Sequence, residues 1–303
     1  MSNRVLVIIF VVLVALFAAN KLFKGNNNSN FNKTFSNLDE QKITQIEVFN
    51  KSDVPTYVLI RENDEWVGKK DSQSYKLNQD RISSFVGALS NIQIQRLATK
   101  SSEKWDSYEV GETSGNRIIA KSEGSTMLDF IVGRFSFDQQ SRSATSYLRK
   151  TGDDAVFAMD GFASMTLNQD FDGLRYNKLI ELKKDELQTI ELNENGNILT
   201  IQRENGRWVD FLGNSVDSVE MASYLTGLEN LTSTSFTDSS GANSIATMKL
   251  TLLDGNSKLI EVSEEAKGDF ILKSAEESQA FVKSDSTGLF KKIVLDFKEM
   301  LIR

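Results

Sequence analysis

The chain has no cysteine, no histidine and a single proline, Pro55. Without the first two side chains there are no disulfides, no thiolate nucleophile, no imidazole base, no thiolate or imidazole zinc site and none of the usual haem ligands. A chain with no thiol to pair suits an oxidising or a reducing compartment equally. No Gly-rich loop leads into Lys and Ser or Thr, so a P-loop ATPase is excluded. No Gly-x-Ser-x-Gly elbow occurs, and a serine nucleophile would lack a histidine to activate it. Basic stripes are also missing: Lys plus Arg number 35 against 42 Asp plus Glu, a net charge of -7, so nucleic acid is not an expected partner.

Hydrophobic residues make up 40% and charged residues 25% of 303, ordinary globular usage. Such a length holds one large domain or two of about 130 residues, each with its own core. An apolar run, Val5 to Ala19, opens the chain. At about 1.5 Å per residue it reaches roughly 22 Å, and its continuation through Leu22 and Phe23, with Lys21 and Lys24 snorkelling, brings it near bilayer thickness. Residues 1–24 are therefore expected to form a transmembrane signal anchor. A cleaved signal peptide is the rival, disfavoured because Phe17 stands where a small residue is wanted. The positive-inside count does not favour export, since Arg4 faces Lys21, Lys24 and Lys33. Large C-terminal bodies translocate largely regardless of such charges, which places the body outside the cytoplasm. Asn-rich residues 25–40 read as a polar tether.

What dominates the rest is a duplication. Arg61-Glu62-Asn63, then Trp66-Val67, recurs as Arg203-Glu204-Asn205, then Trp208-Val209. Ile43, Ile46, Glu47 and Val48 correspond to Leu187, Ile190, Glu191 and Leu192. The alternating stretches 56–60 and 198–202 lead into hairpins, with Asn205-Gly206 a strong turn signal. Both tryptophans read as core. A helix follows in each copy, capped by Asn78 or Asp80 in the first. Ile82, Phe85, Val86 and Leu89 form its apolar stripe, repeated by Met221, Tyr224, Leu225 and Leu228. A four-stranded meander comes next, at 117–121, 127–132, 146–150 and 155–159 and again at 248–253, 258–262, 269–273 and 279–283. Terminal helices at 162–167 and 289–301 close the copies. The fold class is α+β: an N-terminal transmembrane helix, then repeats at 41–181 and 182–303, each a mostly antiparallel sheet with one or two covering helices.

Ile131-Val132-Gly133, Tyr147-Leu148-Arg149, Val156-Phe157 and the Asp172-Gly173-Leu174-Arg175 link, set between Trp-bearing strands and helices, resemble an uncharacterised bacterial envelope domain family. That family is found beside the auxiliary subunits of gliding-motility-type ABC exporters. The likeness runs from Ile43 to Arg303, and the scarcity of proline departs from it. It implies a bacterial envelope protein with one anchor and a role in or near a transporter; with the topology read above, the expectation is a single-pass inner-membrane protein with its body in the periplasm, working within an envelope membrane-protein complex. The family has no catalytic residues to carry over.

Candidate chemistry is sparse. Asn168, Asp170, Asp172 and Gly173 copy the first half of a calcium loop, but Leu179 stands where the bidentate Glu belongs. Asp153-Asp154, Glu264-Glu265 and Glu276-Glu277 are sequence neighbours whose side chains diverge on a strand, whereas acid-base work needs convergence. The leading expectation is a non-enzymatic scaffold without a cofactor, acting through protein contacts. The alternative is a glycan- or peptidoglycan-binding module, with Trp105, Tyr108 and Tyr147 as stacking candidates.

Overall fold

The computed structural model describes residues 33–237, 239–241, 243–274 and 281–302. The expected anchor at 1–24, the tether through residue 32 and the Glu276-Glu277 pair lie outside these residues. Among the described residues no helix is long and apolar enough to cross a membrane.

Two large antiparallel sheets with a few helices make up the fold. The first holds β1 (Gln45–Asn50), β2 (Tyr57–Glu62), β3 (Glu65–Lys70), β4 (Gln73–Lys76), β5 (Ile94–Thr99), β6 (Asn116–Ser122), β7 (Ser125–Asp138), β8 (Ser143–Lys150) and β9 (Val156–Asp160), in the spatial order β4-β3-β2-β1-β6-β7-β8-β9-β5. The second holds β10 (Leu187–Glu194), β11 (Asn197–Glu204), β12 (Arg207–Asp210), β13 (Phe236–Thr237), β14 (Asn243–Leu252), β15 (Ser257–Ala266), β16 (Asp269–Ser274) and β17 (Phe281–Asp285), ordered β12-β11-β10-β14-β15-β16-β17-β13. Apart from the extra edge strand β4, the two orders are the same path through space, so the duplication read in the sequence is a duplication of topology.

Registers agree as well. Ile46 and Val48 lie opposite Ala120 and Ile118, as Ile190 and Leu192 lie opposite Leu250 and Met248. The long helices, α1 (Gln79–Ser90) and the later Ser218–Glu229, begin alike. The Asn78 Oδ1 accepts from the Arg81 N–H at 3.1 Å, and the Asp217 Oδ1 from the Val219 and Glu220 N–H groups, each at 2.9 Å. Both bury the four stripe residues named above. In each copy a short segment ahead of the first strand pairs with the chain leaving that helix. The Phe35 N–H donates to the Ile92 O at 2.9 Å and the Ile94 N–H to the Lys33 O at 2.7 Å; the Leu179 N–H donates to the Leu231 O and the Ser233 N–H to the Asn177 O, both at 2.9 Å. Lys33–Leu38 thus belongs to the folded body, although its polar composition reads as tether. Backbone pairing leaves no mark on composition, and an apolar clue is Phe35, whose ring meets those of Phe130 and Phe157 edge-on.

The chain divides into two compact units, Met1–Val58 with Ser83–Asn168, and Leu59–Ile82 with Gln169–Arg303. The first contains a cluster of Val110, Ile131, Tyr147, Val156 and Ala158 and the short helix α2 (Gly161–Leu167), capped by the Asp160 carboxylate. The second contains a continuous core from Leu179 to Phe297. Its helices are α3 (Phe171–Leu174), α4 (Ser218–Glu229), and a π-turn at Lys291–Leu295 running into α5 (Asp296–Ile302). Tyr224 on α4 is buried and donates its hydroxyl to the Ile293 O of the π-turn at 3.1 Å. Burial lifts that phenol well above its ordinary range.

Candidate functional site

The three aromatics expected to mark a ligand surface come together. Trp105 and Tyr108 lie on one helical turn, Trp105–Tyr108, packed on the small cluster that contains Tyr147. The tyrosine rings are 4.5 Å apart. The Trp105 face is covered by the Arg149 guanidinium, 3.8 Å from the ring centroid, and its indole N–H donates to the Asp154 O at 3.3 Å. Arg149 is wholly buried and explains the arrangement. Its Nε donates to the Val110 O at 2.9 Å, its Nη1 to the Asp153 O at 3.2 Å and its Nη2 to the Glu112 carboxylate at 2.7 Å. A planar fork with five donors ties two loops to a strand as an ammonium cannot. Gly133 completes the fit: a Cβ there would collide with the Tyr108 carbonyl and stand 2.6 Å from the Val110 Cγ1. The two tyrosine rings are tilted by 48° to each other, one Trp105 face is taken by the cation, and the Tyr147 residue is 9% exposed. The Tyr147-Leu148-Arg149 motif does not reveal in sequence that its arginine is the hub, since a cation followed by Lys150 at a strand end reads as solvent-facing.

The second unit carries two open grooves at the Trp motifs. One, about 550 Å³, is lined by Trp66, Tyr75, Gln79, Tyr176, Lys178 and Glu181 among others. The Gln79 amide spans the Trp66 backbone, accepting from its N–H at 3.1 Å and donating to its O at 3.0 Å. The Tyr176 hydroxyl and Lys178 hold the Glu181 carboxylate below its usual range, the phenol contributing most. The equivalent groove beside Trp208, about 480 Å³, is lined by Arg207, Val216, Asp217, Ser218 and Met221. The fold leaves a concavity wherever the Trp strand passes the start of the long helix. Its walls differ between copies: acids, an amide and phenols in one, and an Arg–Asp set among aliphatic and hydroxyl groups in the other.

The remaining candidates are spoken for. Asp170 caps α3, accepting from the Gly173 N–H at 2.7 Å, and Asp172 pairs with Arg175 at 3.2 Å, so the half calcium loop is a helix cap. Arg175, 6% exposed, lies between the rings of Tyr75 and Phe236, 4.6 and 3.7 Å from their centroids. The Asp153 carboxylate caps its own turn by accepting from the Ala155 N–H. Among the described residues no group of three or more acids is arranged to hold a metal ion.

These features define a duplicated, mostly β protein whose signature residues are bound into its scaffold. Residues 70–252 match the family described as a domain of unknown function (DUF4340), and the chain belongs to that family. No curated protein and no solved structure matches it.

Proposed function

We propose that the chain is a non-enzymatic, membrane-anchored scaffold or accessory subunit of a bacterial envelope complex, held in the inner membrane by residues 1–24 with its body in the periplasm. The observation that carries this reading is the uneven placement of large apolar side chains. Cores are filled, yet Phe135, Phe137, Phe162 and Met165 stay exposed in one unit and Phe211, Leu212 and Val219 in the other. Grouped exposed apolar residues mark contact surfaces more often than sites of chemistry. Resemblance to domains found beside gliding-motility-type ABC exporters supplies the kind of complex. Glycan binding is the second reading, favoured by the groove at Trp66, where an amide, a phenol and a carboxylate converge beside aromatic rings. Co-purification of the intact chain in mild detergent at native expression tests the first reading: membrane partners recovered in fixed ratio support it. A partner-free protein retained on peptidoglycan would transfer the assignment to the second.

A further inference from the structure

The strongest unexplained feature is the outer half of β7. The β6–β7 ladder ends at the pair Asn116–Val132, whereas β7, after a bulge at Gly133 and Arg134, runs on to Asp138 with Phe135–Asp138 paired only with β8. Residues 134–138 are all exposed, and no strand among the described residues pairs with their outer edge. Such an edge, with backbone donors and acceptors in a row, is what a folded protein normally blunts or covers. The second repeat covers the start of the corresponding edge: β14 continues past the equivalent point, pairing Ser244 with Ser263 and Asn243 with Glu264. There the strand carries Glu264 and Glu265, so the duplicated fold does not require aromatic residues at this place.

The uncovered segment reads Arg134-Phe135-Ser136-Phe137-Asp138, and its chemistry is symmetric about Ser136. Laid antiparallel against a copy of itself, it sets Arg134 opposite Asp138 on one face and Phe135 opposite Phe137 on the other, with Ser136 opposite itself. Charged and aromatic cross-strand pairs of this kind stabilise antiparallel strands. The aromatic face is extended by α2, whose Phe162 ring lies 6.2 Å from that of Phe137 and whose Met165 is 57% exposed. Ionic groups sit outside it. The Arg134 guanidinium rests over Tyr147 at 5.7 Å, and the Asp138 carboxylate accepts from the Gln140 and Ser141 N–H groups, which fixes its position. We propose that this arm is a homodimerisation edge: two copies join through antiparallel pairing of residues 134–138 about a twofold axis at Ser136, continuing one sheet into the next. The interface is isologous, so each arm supplies both members of every pair. It requires neither the anchor nor an envelope partner.

The absence of native cysteine makes the test clean. In the full-length chain in detergent, Ser136→Cys places two thiols across the axis at a Cα separation of about 4.5–5.5 Å, within disulfide range. Gln140→Cys places them more than roughly 20 Å apart. Mild oxidation is expected to give a reducible dimer from the first variant and none from the second. Arg134→Asp in the Ser136→Cys background lowers the dimer fraction about tenfold by opposing like charges at both ends. Adding Asp138→Arg restores it. Equal crosslinking of both cysteine variants, or a dimer indifferent to the charge swap, would overturn the register. A monomer throughout, or a Ser136→Cys thiol captured by a different protein in cells, would overturn self-pairing.

Discussion

Arg149 and its equivalent in the second repeat, Lys273, show how far one position can diverge within a shared register: each lies one residue past a leucine paired with Val132 or Val262. The lysine is half-buried with its ammonium 5.5 Å from the Phe281 ring centroid, a single cation on a single aromatic. The arginine satisfies two carbonyls and a carboxylate while stacked on Trp105, so its loss orphans the buried Val110 carbonyl and leaves a cavity against the indole. Arg149→Ala is expected to destabilise the protein by about 2–4 kcal/mol. Arg149→Lys should recover less than half of that, because one ammonium cannot span the fork; urea unfolding of the three proteins checks both statements. Asp129 gives the pH counterpart. Burial would raise its carboxyl, but hydrogen bonds from Arg117, at 2.8 and 2.6 Å, and from the Thr151 hydroxyl hold it below the ordinary range. A carboxyl depressed on folding contributes stability that is whole above its unfolded value and lost as pH falls through the folded one. Asp129→Asn should therefore be less stable at neutral pH and lose less on acidification from about pH 6 to about pH 2. An identical acid profile in the two proteins would remove Asp129 from the account.

At the scale of elements, tight turns carry much of the design. The hairpin β2–β3 turns on Asn63-Asp64, with φ of 49° and 69°, and β11–β12 on Asn205-Gly206, with φ of 48° and 79°. Both require left-handed backbone at two successive residues, the condition of a type I′ turn. Glycine meets it without strain at Gly206, while Asp64 meets it at a cost that its ion pair with Arg61 scarcely offsets, the Asp64 side chain being 94% exposed. Asp64→Gly should stabilise the protein by about 0.5–1 kcal/mol after the added freedom of the unfolded chain is subtracted, and Gly206→Asp should do the reverse. Thermal midpoints moving in opposite directions would confirm the pair. Elements with a burial rhythm were legible in the sequence: both long helices, the paired Trp strands and the two meanders. Those without one were not. β4 has one buried residue, Tyr75, and β7 continues beyond Val132 and Gly133 through exposed positions only, so neither produces an alternation to read.

For the whole molecule, the duplication explains more than any single residue. Strand order, cross-strand register, helix caps and the leading segments at Lys33 and Asn177 repeat, and the differences that remain are informative: among the described residues β4, the arginine hub and the long exposed β7 arm occur in the first repeat alone. The candidate site was legible only as a short list of aromatics. Their convergence was real, but their role in packing follows from Arg149, whose burial sequence cannot show. The proposed contact role is tested most directly by in-cell crosslinking of the full-length protein followed by mass spectrometry of the attached peptides. The account predicts reproducible links from the exposed apolar residues to inner-membrane or periplasmic proteins. An abundant, folded protein whose links reach peptidoglycan only, or cytoplasmic proteins, would contradict it.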